Sequence, residues 1–416
     1  MVKKLLILFI FLSFITKSIG GIESSNPILA RVTFSDLFGA LALLFGIQYL
    51  FKGLIEANKI TKLFTISLWL IGLLFLLSPF SLNIQSTLIE TLILLFLILL
   101  SVLIFYLFKD ELSETIFPLI INTTIIAALL GFYDLAASIV GLPRLFDARN
   151  DGEVISGFRN AGQAGAYFLV FLSLLIPLNY SDLKSHLSVR YQKRLIISII
   201  ISIIFLFSTG KIAAYIGLVI GLFLFFIQQR KFKIIFYGSI MALVLYVGFL
   251  NLEKIVPNFN KRINYKIESR IIQQYEGTST NNFFETNYNA AIQSFIDNPL
   301  AGSGLGGFTE KYGRYEVHST YLKMLGEGGI FVTIVYVIFM IIFLKLFIGK
   351  TSNINPFIIY LKFMVPFILG CLVSWSYTYH LRKREFWILV AVVIIVTYNA
   401  HLWRNNKDAF IEDKIN

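Results

Sequence analysis

Residues 88–108 read Leu-Ile-Glu-Thr-Leu-Ile-Leu-Leu-Phe-Leu-Ile-Leu-Leu-Ser-Val-Leu-Ile-Phe-Tyr-Leu-Phe, with one charged side chain, Glu90, close to the start. A hydrocarbon core about 30 Å thick is crossed by about 20 apolar residues in a helix, so this stretch has the length and composition of a complete span. Similar runs recur on either side. Spans are expected at about 5–16, 32–51, 63–80, 88–108, 115–140, 163–179, 195–208, 212–227, 233–252, 328–348, 356–377 and 386–402. Composition agrees: 57% of the residues are hydrophobic and 14% charged, against about 45–50% and about 25% in soluble domains. The expected class is all-α, a polytopic integral membrane protein with about 12 transmembrane helices and one large extracytoplasmic loop. Its divisions are 1–252 (helices one to nine), 253–327 (the loop) and 328–416 (the last three helices and a cytoplasmic tail).

The net charge of +12 would suggest nucleic acid in a soluble protein. Here the basic residues stand mainly in short loops between apolar runs, where they act as topology determinants beside anionic lipid, and nucleic acid is excluded as a partner. With the N-terminus inside, the cytoplasmic segments hold roughly twice as many lysines and arginines as the short external ones, as the positive-inside rule requires. The cluster Arg382-Lys383-Arg384 runs against that rule. Ser18 and Gly20 behind the first short run would suit a signal-peptidase site, and cleaved or not, residue 21 lies outside. The single cysteine, Cys371, allows no intrachain disulfide and no cysteine-based metal site.

Between the ninth and tenth spans the chain turns polar, with a Gly/Ser/Thr/Asn stretch at 277–282. Loops this long are uncommon without a function. Phe284, Tyr288, Ala291, Ile292 and Phe295 recur at three and four, predicting an amphipathic helix on the membrane or the bundle, ended by Asn298-Pro299. Gly302-Ser-Gly-Leu-Gly-Gly307 matches G-x-G-x-x-G formally. A dinucleotide site needs a βαβ unit around it, so a turn that lets backbone come close to a ligand or to the bundle is the better reading.

The expected spans carry few charges, chiefly Lys362, Glu90 and Asp134, which argues against ion-coupled transport. Polar groups gather outside instead: Arg144, Arg149, Arg159, Lys211, and in the large loop Lys261, Arg262, Lys266, Arg270, Arg314 and His318. Such cations suit an anionic, lipid-linked ligand such as a diphosphate; singly, each could equally be solvated loop charge. His318 opens the run that re-enters the membrane, where an imidazole can serve as a base near neutral pH or simply cap a helix.

Asn289-Ala-Ala-Ile-Gln-Ser-Phe-Ile-Asp-Asn-Pro-Leu-Ala-Gly-Ser-Gly-Leu-Gly-Gly-Phe308, followed by Val317-His-Ser-Thr-Tyr-Leu-Lys-Met-Leu-Gly-Glu-Gly-Gly-Ile330, resembles the signature region of the O-antigen ligase and polymerase family. The ligase form H-[NSQ]-x9-G-x-x-[GTY] is met at His318, Ser319 and Gly329 but not at Val332. Gly157-Phe-Arg-Asn-Ala-Gly-Gln163 is similar to the family's G-x-x-x-N-x-N element, and Ser208-Thr-Gly-Lys211 to its T-x-S-R-x-A element.

The resemblance implies a metal-independent membrane glycosyltransferase without cofactor, in the fold of the membrane-embedded glycosyltransferases. Its partners would be an undecaprenyl-diphosphate-linked glycan donor and, as acceptor, lipid A core or a growing lipid-linked glycan. The site would face the periplasm at the bacterial inner membrane. On matching positions, His318 would assist the acceptor hydroxyl and Lys211 and Arg159 would face the diphosphate, with Gly302, Gly304, Ser319 and Gly329 forming the motif. Lysine at 211, where the family has arginine, lacks the bidentate fork. Phe284 stands where many members carry an arginine, so either Arg270 or Arg314 would supply that charge or the phosphate grip would be weaker. The alternatives are a non-catalytic polysaccharide or glycolipid transporter, or a membrane component of an assembly complex.

Overall fold

The computed structural model describes residues 1–19, 32–146, 155–231, 283–313, 316–348 and 355–415. The described chain is helical: α1 (Val2–Phe11), α2 (Phe34–Ile60), α3 (Leu63–Leu77), α4 (Ile84–Phe108), α5 (Phe117–Val140), α6 (Ala161–Tyr180), α7 (Val189–Ser208), α8 (Ile212–Gln228), α9 (Phe283–Asp297), α10 (Thr320–Lys345), α11 (Pro356–Trp375) and α12 (Arg384–Ile415). Nine segments among the described residues are long and apolar enough to cross a membrane, and α8 is a shorter apolar helix. The protein is therefore a polytopic membrane protein. The expected first span corresponds to α1 and a following turn of 3₁₀ helix, Leu12–Phe14. The expected ninth, 233–252, lies outside the described residues.

Local chemistry sets the helix starts. Thr33 and Asp36 close a capping box on α2, while Asn83, Asn160, Ser319 and Asn355 accept backbone N–H groups at the starts of α4, α6, α10 and α11. Each such cap satisfies donors that the first turn leaves without partners. α6 is the central helix, with 16 of its 20 residues buried. On the periphery, Phe51 and Trp69 are 70% and 65% exposed, as expected of side chains that face acyl chains. α8 and α11 meet backbone to backbone: a Cβ at Gly370 would stand 2.1 Å from the Gly217 carbonyl oxygen. Small residues spaced by four, here Gly217 and Gly221, allow this approach in a membrane, where lipid offers no hydrophobic drive for helix association.

The loops segregate to two ends. At one, Lys3 pairs with Glu111, Lys109 with Glu56, and Asn355 donates to the Ala400 carbonyl. At the other, Leu82 N–H donates to the Ser303 carbonyl, Arg382 meets Glu90 and Glu316, and Tyr288 donates to the Ser376 carbonyl. This is the alternation the expected spans require.

Several boundaries differ, α2 running on to Ile60 and α7 starting at Val189, and one of them matters for the site. The tenth span was expected from residue 328, whereas α10 starts at Thr320 and is kinked at Gly329, which adopts φ 71° and ψ −173°. The apolar run identified only the second half, because Lys323, Gly326, Glu327 and Gly328 dilute the first. Both charged residues are fully buried there and pair at 2.8 Å, so this helix carries charge that the hydropathy reading assigned to a loop.

Candidate functional site

The site is assembled at the end that carries the starts of α2, α4, α6, α8, α10 and α12. The amphipathic helix forms as expected: α9 presses Ala291 against Phe308 and Val317 and leaves Ile296 exposed. Ser294 Oγ donates to the Gly326 carbonyl at 2.7 Å, fixing α9 on the first half of α10.

The glycine turn at 302–307 wraps the α10 kink. Ser303 and Gly304 donate their N–H groups to the Gly326 and Glu327 carbonyls, at 3.0 and 2.9 Å. Gly306 N–H donates to Glu327 Oε2 at 2.6 Å. Gly302 and Gly304 thus approach the bundle; a Cβ on Gly302 would lie 2.6 Å from the Glu327 carbonyl oxygen. Carbonyls of α10 freed at the kink gain donors from this turn, which meets the accounting demand on buried backbone.

His318 stands on the extended segment that leads into α10 and is exposed. Its Nδ1 lies 2.9 Å from the Glu316 carbonyl oxygen, so in the neutral tautomer that this bond selects, Nδ1 donates and Nε2 keeps its lone pair. Desolvation by the surrounding protein, and next the charge of Lys211, hold the imidazole below its ordinary pKa of 6.5, outweighing the bond to Glu316. The ring is therefore neutral at neutral pH and available as a base. Behind it, Ser319 caps α10, and Thr320 Oγ1 donates to the Thr378 carbonyl and lies 2.9 Å from His380 Nδ1. His380 is buried and stacked on Trp375, with ring centroids 3.8 Å apart, and its own pKa falls well below the ordinary value through burial. His380 is the anchor under the His318 segment, and only its three-dimensional neighbours reveal that.

Lys211 is the cap residue of α8. Its side chain runs over the first turns of α6, where a Cβ at Gly165 would meet Lys211 Cβ at 2.8 Å and one at Gly162 would lie 3.5 Å from Lys211 Nζ. The glycines of the 157–165 region leave room for the lysine. Arg159 sits just before the Asn160 cap of the same helix, its N–H donating to Thr16 Oγ1 at 2.8 Å. The chain thus brings Lys211 within electrostatic reach of His318 and sets Arg159 on the turn beneath Lys211. Arg270 and Arg314 lie outside the described residues, as does Arg149.

Beside this group is a cavity of about 640 Å³ between α2, α4 and the start of α12, lined by Arg159, Gln163, Glu316, Arg382, Lys383 and Arg384 on one side and by Leu92, Ile93, Phe96 and Leu97 on the other. Arg382 spans from Glu90 (2.8 Å) to Glu316 (3.2 Å). Arg384 grips both carboxylate oxygens of Asp36 and donates to Thr33 Oγ1 at 2.8 Å. Arg382 and Arg384 of the cluster that broke the positive-inside pattern are therefore held by carboxylates of α2, α4 and the segment before His318. That exception was the sequence signal for this cavity. Among the described residues no three His, Cys, Asp or Glu side chains gather as a cation site.

Residues 197–337, about a third of the chain, match the family model described as O-antigen ligase. The matched region runs from α7 to the second half of α10 and contains Lys211, His318, Ser319 and Gly329; the match supports assignment to the O-antigen ligase and polymerase family. No curated protein matches the chain.

Proposed function

We propose that this membrane protein transfers a glycan from undecaprenyl diphosphate to an acceptor hydroxyl at the periplasmic face of the inner membrane, as an O-antigen ligase or polymerase. The observation that carries the reading is that Lys211 lies within electrostatic reach of His318, an ammonium and an imidazole from segments far apart in sequence, at the helix starts of one end of the bundle. In this reading the acceptor oxygen attacks the anomeric carbon, its proton passes to His318 Nε2, and the bond from the anomeric carbon to the diphosphate oxygen breaks. Undecaprenyl diphosphate departs with the electron pair, and Lys211 and Arg159 stabilise its growing charge, with Arg270 and Arg314 as further candidates. Charge-assisted hydrogen bonds of this kind contribute about 1.5–3 kcal/mol each.

The test is glycan transfer by the purified full chain from a lipid-linked donor, with lipid A core and a second lipid-linked glycan offered as separate acceptors. Product with the first alone identifies a ligase, and with the second alone a polymerase. No transfer to either by folded protein overturns the reading. Lys211→Arg should keep activity, and Lys211→Ala should weaken donor use.

A further inference from the structure

The cavity beside His318 has two unlike walls, and each narrows what can occupy it. The apolar wall follows α4 from Ile89 to Phe96, about 10 Å at 1.5 Å per residue. Leu37 of α2 and Leu92 of α4 line the cavity and are 47% and 53% exposed. With Leu37 and Ala40 of α2 also in the lining, this side of the cavity suits an apolar chain.

The polar wall is unlike a phosphate clamp. Besides Arg159, which the transferase reading gives to the diphosphate, its cations among the described residues are Arg382, Lys383 and Arg384; these share the lining with Asp36, Glu316 and Glu385, and Glu90 draws on Arg382 from behind. The charges nearly cancel, so a diphosphate gains little attraction and would have to displace carboxylates already bound to guanidinium groups. What remains is a fixed array of N–H donors next to carboxylate acceptors. Such an array suits hydroxyl groups, which donate and accept together. The wall also reaches the reacting group: Glu316 lines it, and the carbonyl of the same residue holds His318 Nδ1.

We propose that this cavity is the acceptor site, taking a glycolipid whose apolar chain lies along α4 and whose sugar hydroxyls are read by the Arg382–Glu316 and Arg384–Asp36 pairs. It rests on the transferase reading for its role, though not for its ligand chemistry. The lipid-linked diphosphate then lies at Lys211 and Arg159, and the acceptor sugar at the Arg382–Glu316 and Arg384–Asp36 pairs, with its reacting hydroxyl turned to His318 Nε2.

The binding test needs no turnover. A cysteine replaces Leu92 in the full chain, whose native Cys371 is buried, and carries an environment-sensitive dye in lipid nanodiscs. Dodecyl maltoside and dodecyl phosphate are then titrated, so that chain length is matched and only the headgroup differs. Maltoside should move the dye signal at a concentration at least tenfold lower than the phosphate, and Asp36→Asn with Arg384→Gln should remove that preference. A preference for the phosphate would make the cavity an anion site, and equal response would make it a chain site without sugar recognition; either overturns the proposal. The kinetic test is Ile93→Trp, which should raise KM for the acceptor at least tenfold and leave KM for the donor unchanged. A rise in donor KM alone, or no change in either, also overturns it. Failure of the wild-type chain to transfer any glycan would sink the transferase reading while leaving the binding result to stand or fall by itself.

Discussion

Lys323 Nζ and Glu327 Oε1 stand 2.8 Å apart, one turn from each other on α10, with both side chains fully buried. Glu327 also accepts the Gly306 N–H through its other oxygen. The pair therefore ties the glycine turn of the signature to the helix that His318 precedes. Removing one partner of a buried pair leaves an uncompensated charge and costs about 3–5 kcal/mol, whereas replacing both can be near neutral. Lys323→Met should lower the melting temperature in detergent strongly, and adding Glu327→Gln, whose carbonyl still accepts from Gly306, should recover most of the loss. A double variant no more stable than the single one would contradict this account.

Gly329 makes a separate stability prediction. At φ 71° and ψ −173° a side chain is strained, at about 1–3 kcal/mol, and a Cβ would stand 2.4 Å from the Leu300 carbonyl oxygen. Gly329→Ala should destabilise by more than the backbone term alone, because backbone atoms cannot give way as a flexible side chain can. The same substitution at Gly72, with nothing within 4 Å of its Cβ position, is the control and should be nearly silent by thermal unfolding.

Much of this was legible because a bilayer imposes length: runs such as 88–108 marked helices almost residue by residue, and α4 runs from Ile84 to Phe108. The first half of α10 was not, since a buried Lys323–Glu327 pair reads as a loop in any hydropathy pattern. Lys211 and His318 were legible one at a time from the signature, but their proximity depends on the room left by Gly162 and Gly165, which no local pattern states. Glu316, Arg382 and Arg384 were hidden for a different reason. Arg382 is 292 residues from Glu90 and 66 from Glu316, and Arg384 is 348 from Asp36, so the cluster registered only as an exception to the charge rule.

The acid limb of the transfer reaction follows from the His318 environment. Desolvation and the Lys211 charge disfavour the imidazolium, so the folded pKa lies below 6.5, and a neutral base is lost only as pH falls through that lower value. The rate should be flat around neutral pH and decline below 6.5. Lys211→Gln removes one of the lowering causes and should move the limb upward towards the ordinary histidine range, apart from any weakening of donor use. A pH profile of kcat/KM for both proteins checks this, and a limb that moves down or stays fixed in the variant would separate Lys211 from His318.

His318→Ala gives the sharpest test, because the two roles open to this residue predict different quantities. A positioned base contributes about 10² to 10⁴ in rate, so the variant should lose transfer by that order while folded protein accumulates normally. A purely structural imidazole that only bonds the Glu316 carbonyl would instead cost on the order of 1 kcal/mol of stability and leave turnover per folded molecule intact. The Ser319 cap and the Thr320–His380 contact hold the start of α10 without the His318 ring, so the helix should persist in the variant. Transfer from a purified lipid-linked donor is measured with folded protein quantified in the same samples. Near-wild-type turnover per folded molecule would remove His318 from the chemistry and leave Glu316, with 42% of its side chain exposed and already bound to Arg382, as the next base to examine.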